Sequence, residues 1–516
     1  MRAGHRGLVT AALLCVAVWL AACAAPAPTP TPTPTPTASS ARRAEDVRAS
    51  IRADIEAEIA AGRLTGVAVA LVHRGRIVWE EGFGWADREA GRRATSHTPF
   101  SLASTTKPIT TTAMMTLVRA GTLDLDRPAN AYLGPDRIVD DRGPAREVTL
   151  RRLASHSSGL PTFFAMYPEG SAARQPPVAA LIRDYGHLVA PVGERYEYSN
   201  LAFAILAEVV ARASDQEFGL ALRARVFSPL GMEDSFFDTD LSRRREMAAR
   251  YGDAGNRLPF YLTATPGSGE VFASAHDMAR FAMFHLGDDL GPRAAILTAA
   301  ERAELHRPHT RVTEREAYAL GWQVLRGPGE AAALYHGGGQ SGVSTEFLLV
   351  PSADAAVVVL SNRRGRPFLE SIRDRLLRSV VPGWRGLPAP PSPAPQPLQP
   401  AASYTGTWRG TLLAQGRPVP AVLVITGSGQ GTLSVGGRPP QPITDLGLVD
   451  GRISGDTRGE IGSLDTRRES LTQLSLDLAL RPSRIDGDVV AWRKTSDGMT
   501  VLPHRAVLER APRALP

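Results

Sequence analysis

Two proline-rich tracts divide the chain and limit what it can fold into. Residues 24–40 alternate largely between Pro and Thr, and residues 387–402 place Pro at almost every second position. Repeated Pro removes backbone donors and favours the extended polyproline II conformation, so neither tract can build a packed core. The 516 residues therefore divide into a leader (1–22), a tether (23–42), a large body (43–385), a linker (386–402) and a smaller body (403–516).

The first 22 residues have the pattern of a bacterial export signal. Arg2 and Arg6 precede the apolar run Leu8–Ala22, which is shorter than the roughly 20 residues of a membrane-spanning helix. The Leu-Ala-Ala-Cys sequence that ends at Cys23 resembles the lipobox of bacterial lipoproteins, which implies a lipid on Cys23. We therefore expect an exported lipoprotein, anchored to a membrane and facing the periplasm or cell envelope. An ordinary cleaved signal peptide, with Cys23 incidental, is the alternative.

The composition is that of a soluble globular protein. Hydrophobic residues make up 43% and charged residues 22% of the chain. The formal net charge is +7, but the Arg residues are scattered and do not form a basic stripe, so we expect no nucleic-acid partner. Both cysteines, Cys15 and Cys23, lie near the N-terminus, which leaves no disulfide framework for the two bodies.

The large body has strand patterns at both ends and helix patterns between them. Residues 67–72 and 77–85 flank a turn and predict a hairpin, and residues 345–350 and 355–361 predict a second one. Residues 201–213 are apolar nearly all round and predict a buried helix. We expect a mixed α/β (α+β) domain in which the terminal strands join in one antiparallel sheet. Residues 403–516 alternate short strands with Gly-containing turns, which predicts a small antiparallel barrel or sandwich.

A Ser-x-x-Lys tetrad opens the helix that follows the first hairpin. Ser104 and Lys107 are three residues apart and share a helix face, so the Lys amine can reach the Ser hydroxyl. The chain has 59 Lys and Arg residues, but only Lys107 and Lys494 are Lys. Arg cannot lose its proton near neutral pH, whereas a buried Lys can. Taken alone, the tetrad also fits a helix-capping Ser followed by a surface charge.

Two further motifs combine with this tetrad. They are Tyr198-x-Asn200, just before the buried helix, and His336-Gly337-Gly338-Gly339, before the strand at residue 345. In this order the three motifs resemble those of the serine β-lactamase and penicillin-binding-protein superfamily. The resemblance is greatest to the class C-like branch, with its D,D-peptidases, D-aminopeptidases and esterases. It covers residues 45–385 and implies an antiparallel sheet flanked by helices, with a helical subdomain.

The resemblance implies acyl transfer in two steps. Ser104 attacks a carbonyl carbon to give an acyl-enzyme, which water hydrolyses, while Lys107 and Tyr198 hold and transfer the proton. The backbone N–H groups of Ser104 and Gly339 form the oxyanion hole, and Asn200 binds the substrate beside it. His336, Gly337 and Gly338 complete the substrate-binding strand. No cofactor and no metal are implied.

The third motif departs from that of potent β-lactamases, which carry Lys where this chain has His336. A fixed cation at that position pairs with the drug's carboxylate, and a neutral His would weaken the contact. We therefore favour hydrolysis of esters or D-amino-acid peptides. A true β-lactamase and a non-catalytic binder of cell-wall peptide or antibiotic are the alternatives.

Overall fold

The structure is a computed structural model that describes residues 38–512, apart from 142, 172, 327–331, 388–395, 399–402 and 496–497. The expected signal segment, the expected lipidation site Cys23 and residues 24–37 of the Pro/Thr tract lie outside the described residues. Residues 38–42, which we expected to belong to the tether, instead form the start of a helix. None of the helices that the structure describes combines the length and apolarity needed to cross a membrane.

Helices are placed throughout the larger body, and one short helix lies in the smaller body. In chain order they are α1 (Ala38–Ala60), α2 (Thr106–Arg119), α3 (Leu150–Ala154), α4 (Val178–Tyr185), α5 (Asn200–Ser214), α6 (Phe218–Leu222), α7 (Ser228–Leu230), α8 (Ala275–Leu286), α9 (Ala299–His306), α10 (Arg366–Val380) and α11 (Leu464–Arg468).

The described part of the larger body contains one long sheet, one short three-stranded sheet and two strand pairs. Its strands are β1 (Gly66–His73), β2 (Ile77–Asp87), β3 (Arg92–Arg93), β4 (Phe100–Ser101), β5 (Val139–Asp140), β6 (Gly143–Pro144), β7 (Met166–Pro168), β8 (Phe236–Phe237), β9 (Tyr261–Thr263), β10 (Val271–Ala273), β11 (Thr310–Arg311), β12 (Glu316–Tyr318), β13 (Gln323–Leu325), β14 (Ala333–Gln340), β15 (Val343–Val350) and β16 (Ala355–Ser361).

The long sheet is open and antiparallel, with the order β11-β12-β13-β14-β15-β16-β1-β2-β3. The first long strand pairs with the last one, Val67 opposite Ser361 and His73 opposite Ala355, so the two ends of the body join as expected from the sequence. We refer to these nine strands as the open sheet. The expected α/β fold is confirmed.

Both faces of the open sheet are covered, because apolar side chains alternate along its central strands. In β1, Val67 and Val69 face a core that includes Ile55 of α1 and Ile372 of α10. The intervening Ala68 belongs to the larger core on the other face, which also contains residues of α2, α5 and α8. Strands that are buried on both faces hold the site-bearing strand β14 rigidly between its neighbours.

The smaller body is a closed barrel. Its strands are β17 (Gln396–Pro397), β18 (Gly406–Ala414), β19 (Arg417–Ile425), β20 (Gly431–Val435), β21 (Gln441–Val449), β22 (Arg452–Arg458), β23 (Gln473–Leu480), β24 (Arg484–Lys494) and β25 (Met499–Arg510). Eight of them close through the β21–β22 pairing, which settles the choice between barrel and sandwich. The ninth, β17, lies within the expected linker and pairs with β21 through Gln396 and Pro397.

Candidate active site

Ser104 lies in a tight turn between β4 and α2. Residues 103–105 form one turn of 3₁₀-helix, and Ala103 has a φ of 46°. That left-handed conformation costs a non-glycine residue about 1–3 kcal/mol and persists only when its surroundings hold it. Here the Thr345 hydroxyl donates to Leu102 O at 3.1 Å, and the Thr105 hydroxyl donates to His336 O at 3.1 Å. The turn that presents Ser104 is thus fastened to β14 and β15.

Lys107 is fully buried beneath Ser104. Its Nζ lies 3.3 Å from Ser104 Oγ, 2.9 Å from Asn200 Oδ1 and 2.9 Å from Ser268 O. It also lies 4.8 Å from the centre of the Tyr198 ring. Three oxygen neighbours satisfy the amine, so burial of this Lys leaves no donor unpaired.

Tyr198 and Asn200 reach the site from the start of α5. Ser199 caps this helix: its Oγ accepts from Ala202 N at 3.0 Å and donates to Pro161 O at 2.7 Å. On either side of the cap, Tyr198 Oη donates to Ser104 Oγ at 2.9 Å and Asn200 accepts from Lys107. The convergence of Ser104, Lys107 and Tyr198 that we expected from the sequence is therefore present; their catalytic roles stay predictions.

The three glycines of β14 lie beside this cluster. β13 pairs with β14 only as far as Tyr335, so residues 336–340 have no strand on that side among the described residues. A Cβ at Gly338 would lie 2.2 Å from Thr345 Oγ1 and 2.3 Å from Leu102 O, so only Gly lets the Ser104 turn approach. A Cβ at Gly339 would meet nothing within 4 Å and would enter the open cavity. Gly337 precedes both of them, and a Cβ there would lie 2.3 Å from the Tyr335 hydroxyl.

His336 is a neutral, buried side chain. Its Nδ1 lies 2.9 Å from Gly337 O, which can only accept, so Nδ1 carries the proton and Nε2 accepts from the Tyr318 hydroxyl at 2.9 Å. Burial, reinforced by the charge of Lys107, lowers the pKa of His336 to about 3. His336 thus lines the cavity without supplying the positive charge that Lys gives in the related motif.

Glu270 is a buried neighbour of the site that the sequence did not reveal. Its carboxylate accepts from Gly269 N at 2.7 Å and from Ser268 N at 3.1 Å, in the segment whose carbonyl binds Lys107. Burial raises the pKa of Glu270, while the hydrogen bond from Thr263 and the charge of Lys107 act in the opposite direction. No sequence motif includes Glu270, because its position near Lys107 depends on a fold that places residues 263–270 against α2.

A cavity of about 750 Å³ opens above Ser104. Its lining includes all the predicted catalytic and substrate-binding residues except Lys107, which lies beneath it. It also includes Arg364, in the loop after the open sheet's last strand, and Arg366 of α10, together with apolar residues such as Phe164, Val343 and Met499. Met499 belongs to the barrel, so both bodies contribute to the walls.

A group with metal-compatible spacing, Glu80, His97 and His276, is found elsewhere in the described part of the chain. None of the three lines the cavity with Ser104. The Ser104 site is built from a hydroxyl, an amine, a phenol and backbone groups.

An open antiparallel sheet between helices, with Ser, Lys and Tyr converging at one edge, defines the class of β-lactamase-like serine hydrolases. The Beta-lactamase family model matches residues 51–381, and the chain belongs to that family.

Curated relatives cover several activities. The chain is 27% identical over 398 residues to the unguisins hydrolase ungD' of Aspergillus campestris, covering 67% of this chain and 72% of the relative. It is 26% identical over 311 residues to penicillin-binding protein 4* of Bacillus subtilis, covering 56% and 66%. It is 36% identical over 191 residues to esterase EstB of Burkholderia gladioli, covering 34% and 47%.

Solved structures share the fold over more of the chain. A crystal structure of SurE covers 89% of this chain and 100% of its own, with a TM-score of 0.62 and 22% identity. The octameric penicillin-binding protein homologue from Pyrococcus abyssi covers 89% and 99%, with a TM-score of 0.56 and 19% identity. At these identities the likeness concerns the fold alone.

Proposed function

We propose that this protein is a serine hydrolase that forms an acyl-enzyme on Ser104 and cleaves esters or D-amino-acid peptide bonds. The observation that carries the proposal is the position of Ser104 Oγ, 3.3 Å from Lys107 Nζ and 2.9 Å from Tyr198 Oη, at the floor of a cavity. Membership of a family that includes an esterase and a penicillin-binding protein among its relatives supports it.

The contacts of Lys107 allow it to act as a base. Asn200 Oδ1 and Ser268 O can only accept hydrogen bonds, so a neutral amine donates one hydrogen to each of them. Its lone pair is then left for the third neighbour, the Ser104 hydroxyl. In the first step the Ser104 proton passes to the lone pair of Lys107 while Oγ bonds to the carbonyl carbon of the substrate. In this scheme, Tyr198 gives its hydroxyl proton to the leaving oxygen or nitrogen as the bond from that atom to the carbonyl carbon breaks, and the proton held by Lys107 then restores the phenol.

The backbone of β14 supplies the remaining groups in this scheme. Gly339 lies on the strand edge that faces the cavity, and its N–H with that of Ser104 would hold the developing oxyanion. Asn200 would bind the substrate through Nδ2, which has no acceptor among the residues described. Water then attacks the acyl-enzyme, and the same base removes its proton.

Neutral His336 supplies no cation at the position where potent β-lactamases carry Lys, which favours ester substrates over carboxylate-bearing β-lactams. The test is turnover of p-nitrophenyl acetate, a D-Ala-D-Ala peptide and nitrocefin by the full-length protein and by Ser104→Ala. We expect ester or peptide turnover that falls at least about 10³-fold in the variant. Turnover of nitrocefin alone would make it a β-lactamase instead. Binding of wall peptide without any turnover, unchanged in Ser104→Ala, would make it a binding protein.

We also propose that the chain is a lipoprotein anchored through Cys23, which rests on the Leu-Ala-Ala-Cys sequence alone. Labelling of expressing bacteria with a palmitate analogue should mark the wild type. Labelling that persists in Cys23→Ser would contradict the anchor.

A further inference from the structure

We propose that the barrel supplies one wall of the substrate pocket, and that Met499 with Phe164 binds an apolar acyl group. The inference rests on the proposed hydrolase function and names the kind of substrate that this site prefers: esters or amides whose acyl part is larger and more apolar than acetyl.

The barrel is fastened to the larger body at the cavity. Phe164 and Val501 exchange two backbone hydrogen bonds, with N–O distances of 3.0 and 2.7 Å, so the start of β25 continues as a short antiparallel bridge onto the larger body. Met166, two residues from Phe164, accepts from the Ser341 hydroxyl through Sδ at 3.6 Å. The bridge therefore fixes the barrel beside the turn that follows β14.

Met499 begins β25, two residues before this bridge. It is 41% exposed, one of four large apolar side chains with such exposure among the residues described. The other three, Leu220, Leu241 and Leu464, do not line the cavity above Ser104. The bridge holds Met499 in place, and its apolar side chain is open to the cavity. A substrate that covers this side chain is bound more tightly, because burial of apolar surface is favourable.

Phe164 adds to the same apolar surface. Phe164 lines the cavity, and its backbone is the barrel's partner in the bridge. Lining from the open sheet is instead largely polar, because the glycines of β14 lie beside Gln340 and Ser344, with Val343 as its apolar member. The cavity of about 750 Å³ therefore has a polar side next to Ser104 and an apolar part that the barrel completes. An acyl chain of several carbons fits this division better than acetate does.

The test compares p-nitrophenyl acetate, butyrate and octanoate as substrates of the full-length wild type, Met499→Ser and Phe164→Ala. We expect the kcat/KM for octanoate to fall about ten-fold in Met499→Ser, because covering one apolar side chain contributes about that factor. The value for acetate should stay within about two-fold, since acetate is too short to reach the wall. Phe164→Ala should lower the octanoate-to-acetate ratio in the same direction. Leu464→Ser, on the barrel but outside the cavity, is the control and should leave the ratio unchanged.

An unchanged octanoate-to-acetate ratio in Met499→Ser, or an equal loss for all three esters, would overturn the inference. The thermal unfolding midpoint of each variant shows whether the fold is intact. The proposed function fails in a different way, through turnover of acetate that survives in Ser104→Ala. If acetate turnover is lost in Ser104→Ala but the octanoate-to-acetate ratio is unchanged in Met499→Ser, only the apolar wall is refuted.

Discussion

The open sheet and the barrel are both antiparallel, but only the barrel closes on itself. In the open sheet, β13 leaves β14 after Tyr335, and the next five residues of β14 keep an edge that faces the cavity. In the barrel, the pairing of β21 with β22 joins the two ends of the sheet and leaves no such edge along those strands. Unpaired backbone groups can bind a substrate, whereas paired ones cannot. The chemistry is therefore expected at the open sheet, and the barrel contributes shape and charge.

The two lysines of the chain give the largest expected contrast between the regions. Lys107→Arg keeps a positive charge but cannot lose its proton, so ester turnover should fall about 10³-fold. Lys494→Arg, at the end of β24, is the matched control and should leave turnover unchanged. Steady-state hydrolysis of p-nitrophenyl butyrate measures both. Equal activity of the two variants would mean that the amine at position 107 takes no part in proton transfer.

The junction between the two regions should respond to pH through Glu197. Burial raises its pKa to about 7, above the ordinary 4.5 of this group, although Arg195 opposes the shift. The folded protein therefore keeps a proton that the unfolded chain loses between pH 4.5 and 7, and the free energy of unfolding falls as the pH rises through that window. The difference between the two pKa values corresponds to a loss of about 3 kcal/mol in the free energy of unfolding across this window.

Glu197→Gln removes this proton exchange. The unfolding free energy of the variant minus that of the wild type should therefore become more positive from pH 4.5 to 7. Urea denaturation at several pH values gives the profile, with Glu217→Gln at an exposed position as control. A pH-independent difference would show that the pKa of Glu197 is the same in the folded and unfolded states.

Each region has a glycine that packs against the backbone of a neighbouring segment. Substituting these two glycines tests whether activity depends on the open sheet and not on the barrel. Gly338→Ala would force its Cβ against Leu102 O, so we expect a loss of about 2 kcal/mol in unfolding free energy together with a loss of turnover. Gly410→Ala in β18 would place a Cβ 2.0 Å from Val507 O and should destabilise the barrel by a similar amount. Its turnover per folded molecule should be preserved. Loss of kcat in both variants would contradict the division of roles.

The smallest expected effect concerns the charges that join the barrel to the Tyr198 segment. Asp477 of β23 accepts from Arg195 at 2.8 Å and from Arg452 at 2.5 Å. A double-mutant cycle of Asp477→Asn with Arg195→Gln should give a coupling of about 1 kcal/mol in stability, because the pair is partly exposed. The kcat of Asp477→Asn should fall a few-fold, since Arg195 lies three residues before Tyr198. Strict additivity in the cycle would show that the pair does not hold the two regions together.

Local sequence pattern predicted much of the fold and of the catalytic cluster. The three-residue spacing of Ser104 and Lys107 sets their contact through helix geometry, and the apolar run at 201–213 fits α5 to within one residue at each end. The pairing of β1 with β16 was also predictable, because both are short apolar strands that follow or precede tight turns.

Other features depend on contacts between distant residues, which no local pattern records. The neutral state of His336 follows from burial and from the charge of Lys107, and its Nε2 contacts Tyr318, which lies on a strand two places away in the open sheet. The left-handed Ala103 is held by Thr345 through Leu102. Met499 reaches the cavity only because two separate bodies pack together, and Glu270 lies in a polar, glycine-rich stretch that resembles an ordinary loop.

Covalent labelling tests the central claim most directly. The full-length protein is treated with a fluorophosphonate probe, and its intact mass and peptide map are measured. A single adduct on the peptide that contains Ser104, absent from Ser104→Ala and strongly slowed in Lys107→Arg, is the predicted result. An active preparation that carries no adduct, or an adduct elsewhere with full labelling of Ser104→Ala, would contradict it.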